Sequence, residues 1–138
     1  MMRIIVLCLI LLLANCHAQD NNFVEVISEY KDTIKEHRLN CLKETDTIPN
    51  KLENLLNHGV YDAIDGNLKC CLRCLYLRLG IFDEHGRISE ETMRETSGTD
   101  SLEIQNAIIS NCRFKNANLC DLAFDISNCT YYTVKNFY

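Results

Sequence analysis

Apolar positions in this chain recur at spacings of three and four over most of its length, the period of helices buried along one side. Asn22 stands where a first helix would be capped, and Glu25 three residues on would close a capping box. Phe23, Ile27, Tyr30 and Ile34 then line one face, Glu29, Lys31, Lys35 and Glu36 face water, and the helix is expected to end near Leu39-Asn40. Pro49 suits the first turn of a second helix, because its missing N–H has no partner there in any case. Leu52, Leu55 and Leu56 form that helix's inner stripe and Gly59 stops it. Asn67 begins a third, in which Leu68, Leu72, Leu75 and Leu79 repeat at four, three and four before Gly80 ends it in a left-handed cap. After the polar turn Asp83-Glu84-His85-Gly86, Ser89 caps a short fourth helix with Glu90 and Glu91 at its positive end. Ser97-Gly98-Thr99 breaks the chain. Asp100 and Glu103 have capping-box spacing for a fifth helix, which places Ile104, Ile108 and Cys112 on one face. Asn118 caps a sixth, with Leu119, Leu122, Ala123 and Ile126 along it, and an aromatic tail runs from Thr130 to Tyr138. The fold class is therefore all-α, with no internal repeat and no second domain.

The first residues set the compartment. Arg3 followed by the apolar run Ile4 to Leu13, then small residues around Ala18, has the form of a secretory signal peptide cut after Ala18. The run is shorter than the roughly 20 residues a membrane anchor needs. Residues 1–18 are thus expected to be a leader and residues 19–138 one secreted, extracellular domain. The full chain carries a net charge of −5, and loss of Arg3 makes the mature balance −6. Nucleic acid and anionic membranes call for a basic patch, so neither is an expected partner.

Of nine cysteines, Cys8 and Cys16 would leave with the leader, and positions 41, 70, 71, 74, 112, 120 and 129 remain. Secreted cysteines at this density imply a disulfide framework, and an odd count leaves a thiol over. Cys70 and Cys74 lie at i and i+4 on one helix face, where they cannot usefully bridge each other but can staple two different neighbours. Without Cys71 the spacing reads C41-x28-C70-x3-C74-x37-C112-x7-C120-x8-C129. It resembles that of the insect odorant-binding proteins, which have three residues between the second and third cysteines and eight between the fifth and sixth. Leu77-Arg78-Leu79-Gly80-Ile81-Phe82-Asp83-Glu84-His85-Gly86-Arg87-Ile88 and Cys120-Asp121-Leu122-Ala123-Phe124 resemble passages of the same family. The resemblance covers nearly the whole mature chain. It implies a compact bundle of about six helices around an apolar cavity, stapled by Cys41–Cys74, Cys70–Cys120 and Cys112–Cys129. Cys71 departs from the family pattern. A buried free thiol, an intermolecular bridge and an exchange with Cys70 are its three readings.

The resemblance further implies a carrier of small hydrophobic molecules such as odorants, pheromones or lipid-like compounds. The partners are a small apolar ligand and, beyond it, a membrane receptor or a second copy of the chain. No cofactor or metal is expected. The cavity is expected to be lined from the third, fifth and sixth helices: Leu72, Leu75 and Tyr76; Ile104 and Ile108; Leu122 and Phe124. Ile27, Tyr30, Leu56 and Met93 are further candidates, although on pattern alone each of these is equally a core residue. Tyr30, Tyr76, Tyr131, Tyr132 and Tyr138 supply polar tips on apolar bodies, suited to orienting an alcohol, aldehyde, ester or acid. The tail from Val134 is expected to fold back over the cavity mouth, with Phe137 and Tyr138 turned inward. Catalysis reads poorly, since His37, His58 and His85 sit in no nucleophile, zinc or calcium motif. The sequon Asn128-Cys129-Thr130 is expected to stay unmodified because Cys129 is bridged. A venom, salivary, seminal or haemolymph protein acting through a protein partner is the alternative on the same scaffold.

Overall fold

The amphipathic stripes become six helices in the computed structural model, which describes residues 2–138, with side chains from Asn22 onward. They are α1 (Met2–Glu44), α2 (Pro49–His58), α3 (Gly66–Leu79), α4 (Glu90–Glu95), α5 (Leu102–Asn111) and α6 (Leu119–Lys135). Among the described residues the β pairing is one isolated bridge, Phe82 to Ile88, closing the Asp83–Gly86 turn. The expected leader and its cleavage site lie outside the residues whose side chains are described.

Five boundaries differ from the sequence reading. The first helix runs through Asn22, which therefore does not cap it, and continues past Leu39 to Glu44. That extension turns Cys41 and Leu42 onto the buried face. α3 is capped by Asp65, whose carboxylate accepts from the Leu68 N–H at 3.0 Å, and Asn67 lies inside the helix. Ser101, not Asp100, caps α5 by accepting from the Ile104 N–H. α6 does not give way to a tail at Thr130 but stays helical to Lys135. The remaining signals fall where they were read: Pro49 opens α2, Ser89 caps α4, Asn118 caps α6, and Gly59 and Gly80 end their helices at φ +64 and +78.

α3 is the central element. It packs chiefly on α6 and next on α1, while α5 packs on α6 and α4. Leu68, Leu72 and Leu75 from α3 meet Ile108, Leu122 and Ile126, and all six are at most 1% exposed. Burial on that scale is worth about 1.5–3 kcal/mol for each side chain. The i, i+4 cysteines of α3 act in opposite directions: Cys74 bridges to Cys41 on α1 and Cys70 to Cys120 at the start of α6. Cys112, just past α5, bridges to Cys129 within α6. This is the pairing that the resemblance implied. Cys71 is free and fully buried, next to Thr45 and Thr47. Burial raises its thiol pKa and leaves it inaccessible to a second molecule, so the intermolecular reading does not hold in the folded chain.

Polar contacts set how the helices approach one another. Glu53 on α2 pairs with Lys31 and Arg38 on α1. Burial alone would raise its carboxyl pKa, but Lys31 and Arg38 hold it below the usual value. Lys69 on α3 meets Asp121 on α6 at 2.9 Å. Gly98 lies so close to α1 that a Cβ there would stand 2.5 Å from the Val26 carbonyl oxygen. At φ +78 and with no side chain, Gly98 lets the 97–99 loop rest directly on the helix.

Candidate functional site

A small pocket of about 40 Å³ lies where the turns of α1 just past its midpoint, the end of α2, α3 and the last turns of α6 converge. Its apolar wall is Val26 and Ile27 from α1, Leu56 from α2 and Val134 from α6, closed by the ring of Tyr131. Ser127, Tyr131 and Val134 follow at four and three along α6, so one stripe of that helix lines one side of the pocket. Tyr30 and Tyr76 enter from α1 and α3, and Gly98 seats Ser97 against α1 beside them.

Tyr61 arrives differently, from the loop between α2 and α3. Gly59 turns the chain in the left-handed region, and a Cβ on it would stand 2.3 Å from the Tyr131 ring. The Tyr132 hydroxyl donates to the Gly59 carbonyl at 2.8 Å and holds this corner against α6. The loop then directs Tyr61 inward. Its hydroxyl donates to the Ser127 carbonyl at 2.8 Å and lies 2.9 Å from the Ser127 hydroxyl. Its ring meets Phe124 and Tyr131 edge-on at 5.4 and 6.3 Å, a geometry worth about 0.5–1.5 kcal/mol per pair beyond area burial.

The electrostatics of the site are those of neutral phenols. Burial pushes Tyr61 far above the usual phenol range. Tyr30 is raised well above 10 by burial first and by the Tyr76 and Tyr61 phenols next. Tyr76 is raised by burial, and the neighbouring Ser127 and Tyr30 hydroxyls offset only part of that. All three therefore serve as hydrogen-bonding hydroxyls at neutral pH, and the pocket's chemistry is apolar contact with a hydroxyl cluster at one side. Forty cubic ångströms is space for one to a few waters, against about 300–1,000 Å³ for a small-molecule site. A ligand of odorant size would have to enlarge it.

Of the side chains named from sequence, Ile27, Tyr30, Leu56 and Tyr76 come together at this pocket. Leu72, Leu75, Met93, Ile104, Ile108, Leu122 and Phe124 are buried in the core and do not line it. In this pocket α5 lines no wall: its helix packs on α4 and α6, and α1 lines the pocket together with α2, α3 and α6. Because α6 stays helical to Lys135, only Val134 of the tail reaches the pocket, while Phe137 and Tyr138 are each 36% exposed and the Tyr138 ring packs beside Phe23. Tyr131, one of the tyrosines named for its polar tip, also lines the pocket, whereas sequence reasoning did not single out Val26, Tyr61, Ser97, Ser127 or Thr130. A serine on the apolar stripe of α6 was the available signal for Ser127, and none marked Tyr61. Asn128 lies within α6 beside bridged Cys129, an unfavourable setting for glycosylation.

Among the described residues no group of three or more His, Cys, Asp or Glu is placed to hold a metal ion, and no helix is long and apolar enough to cross a membrane. The fold and its bridges define a class of small all-helical domains held by three disulfides. Within that class, residues 24–133 match the PBP/GOBP family model, and the chain belongs to that family. It is similar to general odorant-binding protein 57e of Drosophila melanogaster, 26% identical over 92 residues that cover 64% of this chain and 67% of that one. It is also similar to odorant-binding protein 10 of Aedes aegypti, 21% identical over 128 residues covering 92% and 91% of the two chains. No solved structure matches it.

Proposed function

We propose that the protein is a secreted carrier that takes a small, uncharged, largely apolar ligand into the tyrosine-lined end of the bundle. The observation that carries this reading is an apolar pocket flanked by Tyr30, Tyr61, Tyr76 and Ser127 inside a disulfide-held frame. Membership of a family whose relatives are named odorant-binding proteins supports the same reading. Ile27, Tyr30, Leu56 and Tyr76 are the sequence-derived residues assigned to contact the ligand, joined by Val26, Tyr131 and Val134. The mature chain begins at Gln19 in this reading, and the oxidised cysteines accord with an extracellular setting. Binding is by burial and hydrogen bonding, with no catalytic step.

Displacement of a fluorescent apolar probe by alcohols, esters, phenols and fatty acids tests the proposal. Affinities in the micromolar range, about −8 kcal/mol, are expected for uncharged members of the panel. Absence of displacement across it would reject the carrier reading and turn attention to a protein partner.

A further inference from the structure

Tyr61 is inserted into the tyrosine-lined end of the bundle from outside the helices. A phenol ring from a non-helical loop is inserted among Phe124, Tyr131 and Tyr132, and its hydroxyl spans the Ser127 carbonyl and hydroxyl. The space left beside it is about 40 Å³. The loop that carries it exposes Val60 at 55% and Ile64 at 92%, so little apolar burial other than Tyr61 itself holds the loop inward. Its further ties are the Tyr132 hydroxyl on Gly59 and a short turn in which the Asp62 carboxylate accepts from the Ile64 N–H. The opposite walls belong to α1, α3 and α6, the elements fixed by the bridges and the core.

We infer that Tyr61 is an internal stand-in for the ligand, and that the chain's own ligands are small phenols and aromatic alcohols that displace this side chain and donate their hydroxyl to Ser127. The inference rests on the carrier reading and gives it a ligand class. The Ser127 carbonyl accepts the Tyr61 hydroxyl in addition to its bond within α6, so a displacing molecule keeps this second bond only if it brings a hydroxyl donor. An ester, ketone or alkane cannot donate to that carbonyl and forgoes the bond, so it binds more weakly than a molecule bearing a hydroxyl. The apparent affinity is the intrinsic affinity reduced by the small fraction of molecules in which Tyr61 has swung out. Weakening the plug therefore strengthens binding.

The test uses p-cresol, which is the tyrosine side chain as a free molecule, and toluene, its counterpart without the hydroxyl. Binding of each to the wild type, Tyr61→Phe and Tyr61→Ala is followed by calorimetry, with thermal unfolding and circular dichroism confirming the fold of each variant. Tyr61→Phe keeps the ring and loses the bond to Ser127. It should bind p-cresol about two- to ten-fold more tightly than the wild type, the worth of one hydrogen bond. Tyr61→Ala should bind it more tightly still, and every form should prefer p-cresol to toluene by about two- to ten-fold. In the wild type, the ring signals of selectively labelled Tyr61 should move to solvent-exposed positions as p-cresol saturates. Equal or weaker binding by Tyr61→Phe, or no preference for p-cresol, overturns the inference and leaves the carrier reading standing if apolar probes still bind all forms. Failure of every form to bind any probe overturns both.

Discussion

The two ends of this bundle are built on opposite terms. Around α3, the leucines at 68, 72 and 75 meet Leu122, Ile126 and Ile108 with no exposed surface to speak of, and two bridges leave the helix in opposite directions. At the other end, where α1 meets the last turns of α6, the interior holds four tyrosines, two serines and a residual void. The first region is apolar, filled and cross-linked. The second is polar at its tips, incompletely filled and closed in part by a loop. The difference assigns the roles: the stapled half supplies stability, and the tyrosine half can rearrange because its loss does not unfold the frame. Low-stability elements are where binding sites are commonly found.

Breaking the frame should cost most. Replacing Cys70 and Cys120 together by Ser removes the bridge that closes the longest loop, with a sequence separation of 50, and should destabilise the protein by about 4 kcal/mol in the chain-entropy model. Denaturant unfolding of the oxidised proteins measures it. A loss below about 1 kcal/mol would mean that the α3–α6 core, not the bridge, holds this half.

Side-chain truncation sharpens the contrast. Leu72→Ala opens a hole in a filled core and is expected to cost about 3 kcal/mol. Tyr61→Phe removes one hydrogen bond at the looser end and should cost about 1 kcal/mol. Comparable losses at both positions would erase the distinction between the two regions.

Alkaline pH should act on the tyrosine end, in addition to what the raised thiol of Cys71 contributes. In the unfolded chain a phenol ionises near pH 10. In the folded chain Tyr30, Tyr61 and Tyr76 are raised above that, chiefly by burial. Below pH about 10 both states keep their protons and these groups leave stability unchanged. As pH rises beyond that value the unfolded state releases protons that the folded state retains, and stability falls by up to about 1.4 kcal/mol per pH unit for each group. Tyr61→Phe should make that decline shallower by one group's share. An unchanged slope would show that Tyr61 titrates alike in both states.

The smallest effect is expected at the terminus. Removing Asn136, Phe137 and Tyr138 deletes side chains that are at least a third exposed, and should change stability by less than about 1 kcal/mol and leave ligand dissociation unaltered. Markedly faster dissociation would restore a lid role to these residues.

Much of the frame was legible in the chain itself. The three-and-four spacing, Pro49, Ser89, Asn118 and the glycine stops placed the helices, and the cysteine spacing pointed to the family and, through it, the pairing. The end of α6 was not legible in the same way. Thr130-Tyr131-Tyr132-Thr133 is a run of residues with modest helix propensity, and it is helical because Tyr131 and Val134 are buried by contacts distant in sequence. The pocket was only half legible for a related reason. Helical periodicity tells which face of α1 or α3 is buried, so Ile27, Tyr30 and Tyr76 could be named, but it cannot tell a filled layer from one with a void. It also says nothing about loops. Tyr61 stands between Gly59 and Asp62 in a segment that reads as a surface turn, and its inward direction depends on Gly59 lying against Tyr131.

The most direct test of the division is where a ligand is felt. Methyl-labelled Ile, Leu and Val side chains, followed by NMR while p-cresol or an apolar probe is titrated in, report on both regions at once. The expected result is large shifts confined to Val26, Ile27, Leu56 and Val134, with Leu72, Leu75, Ile108 and Leu122 nearly unmoved. Shifts centred on those core leucines and Ile108, or none anywhere at saturating probe, would contradict the assignment of binding to the tyrosine-lined end.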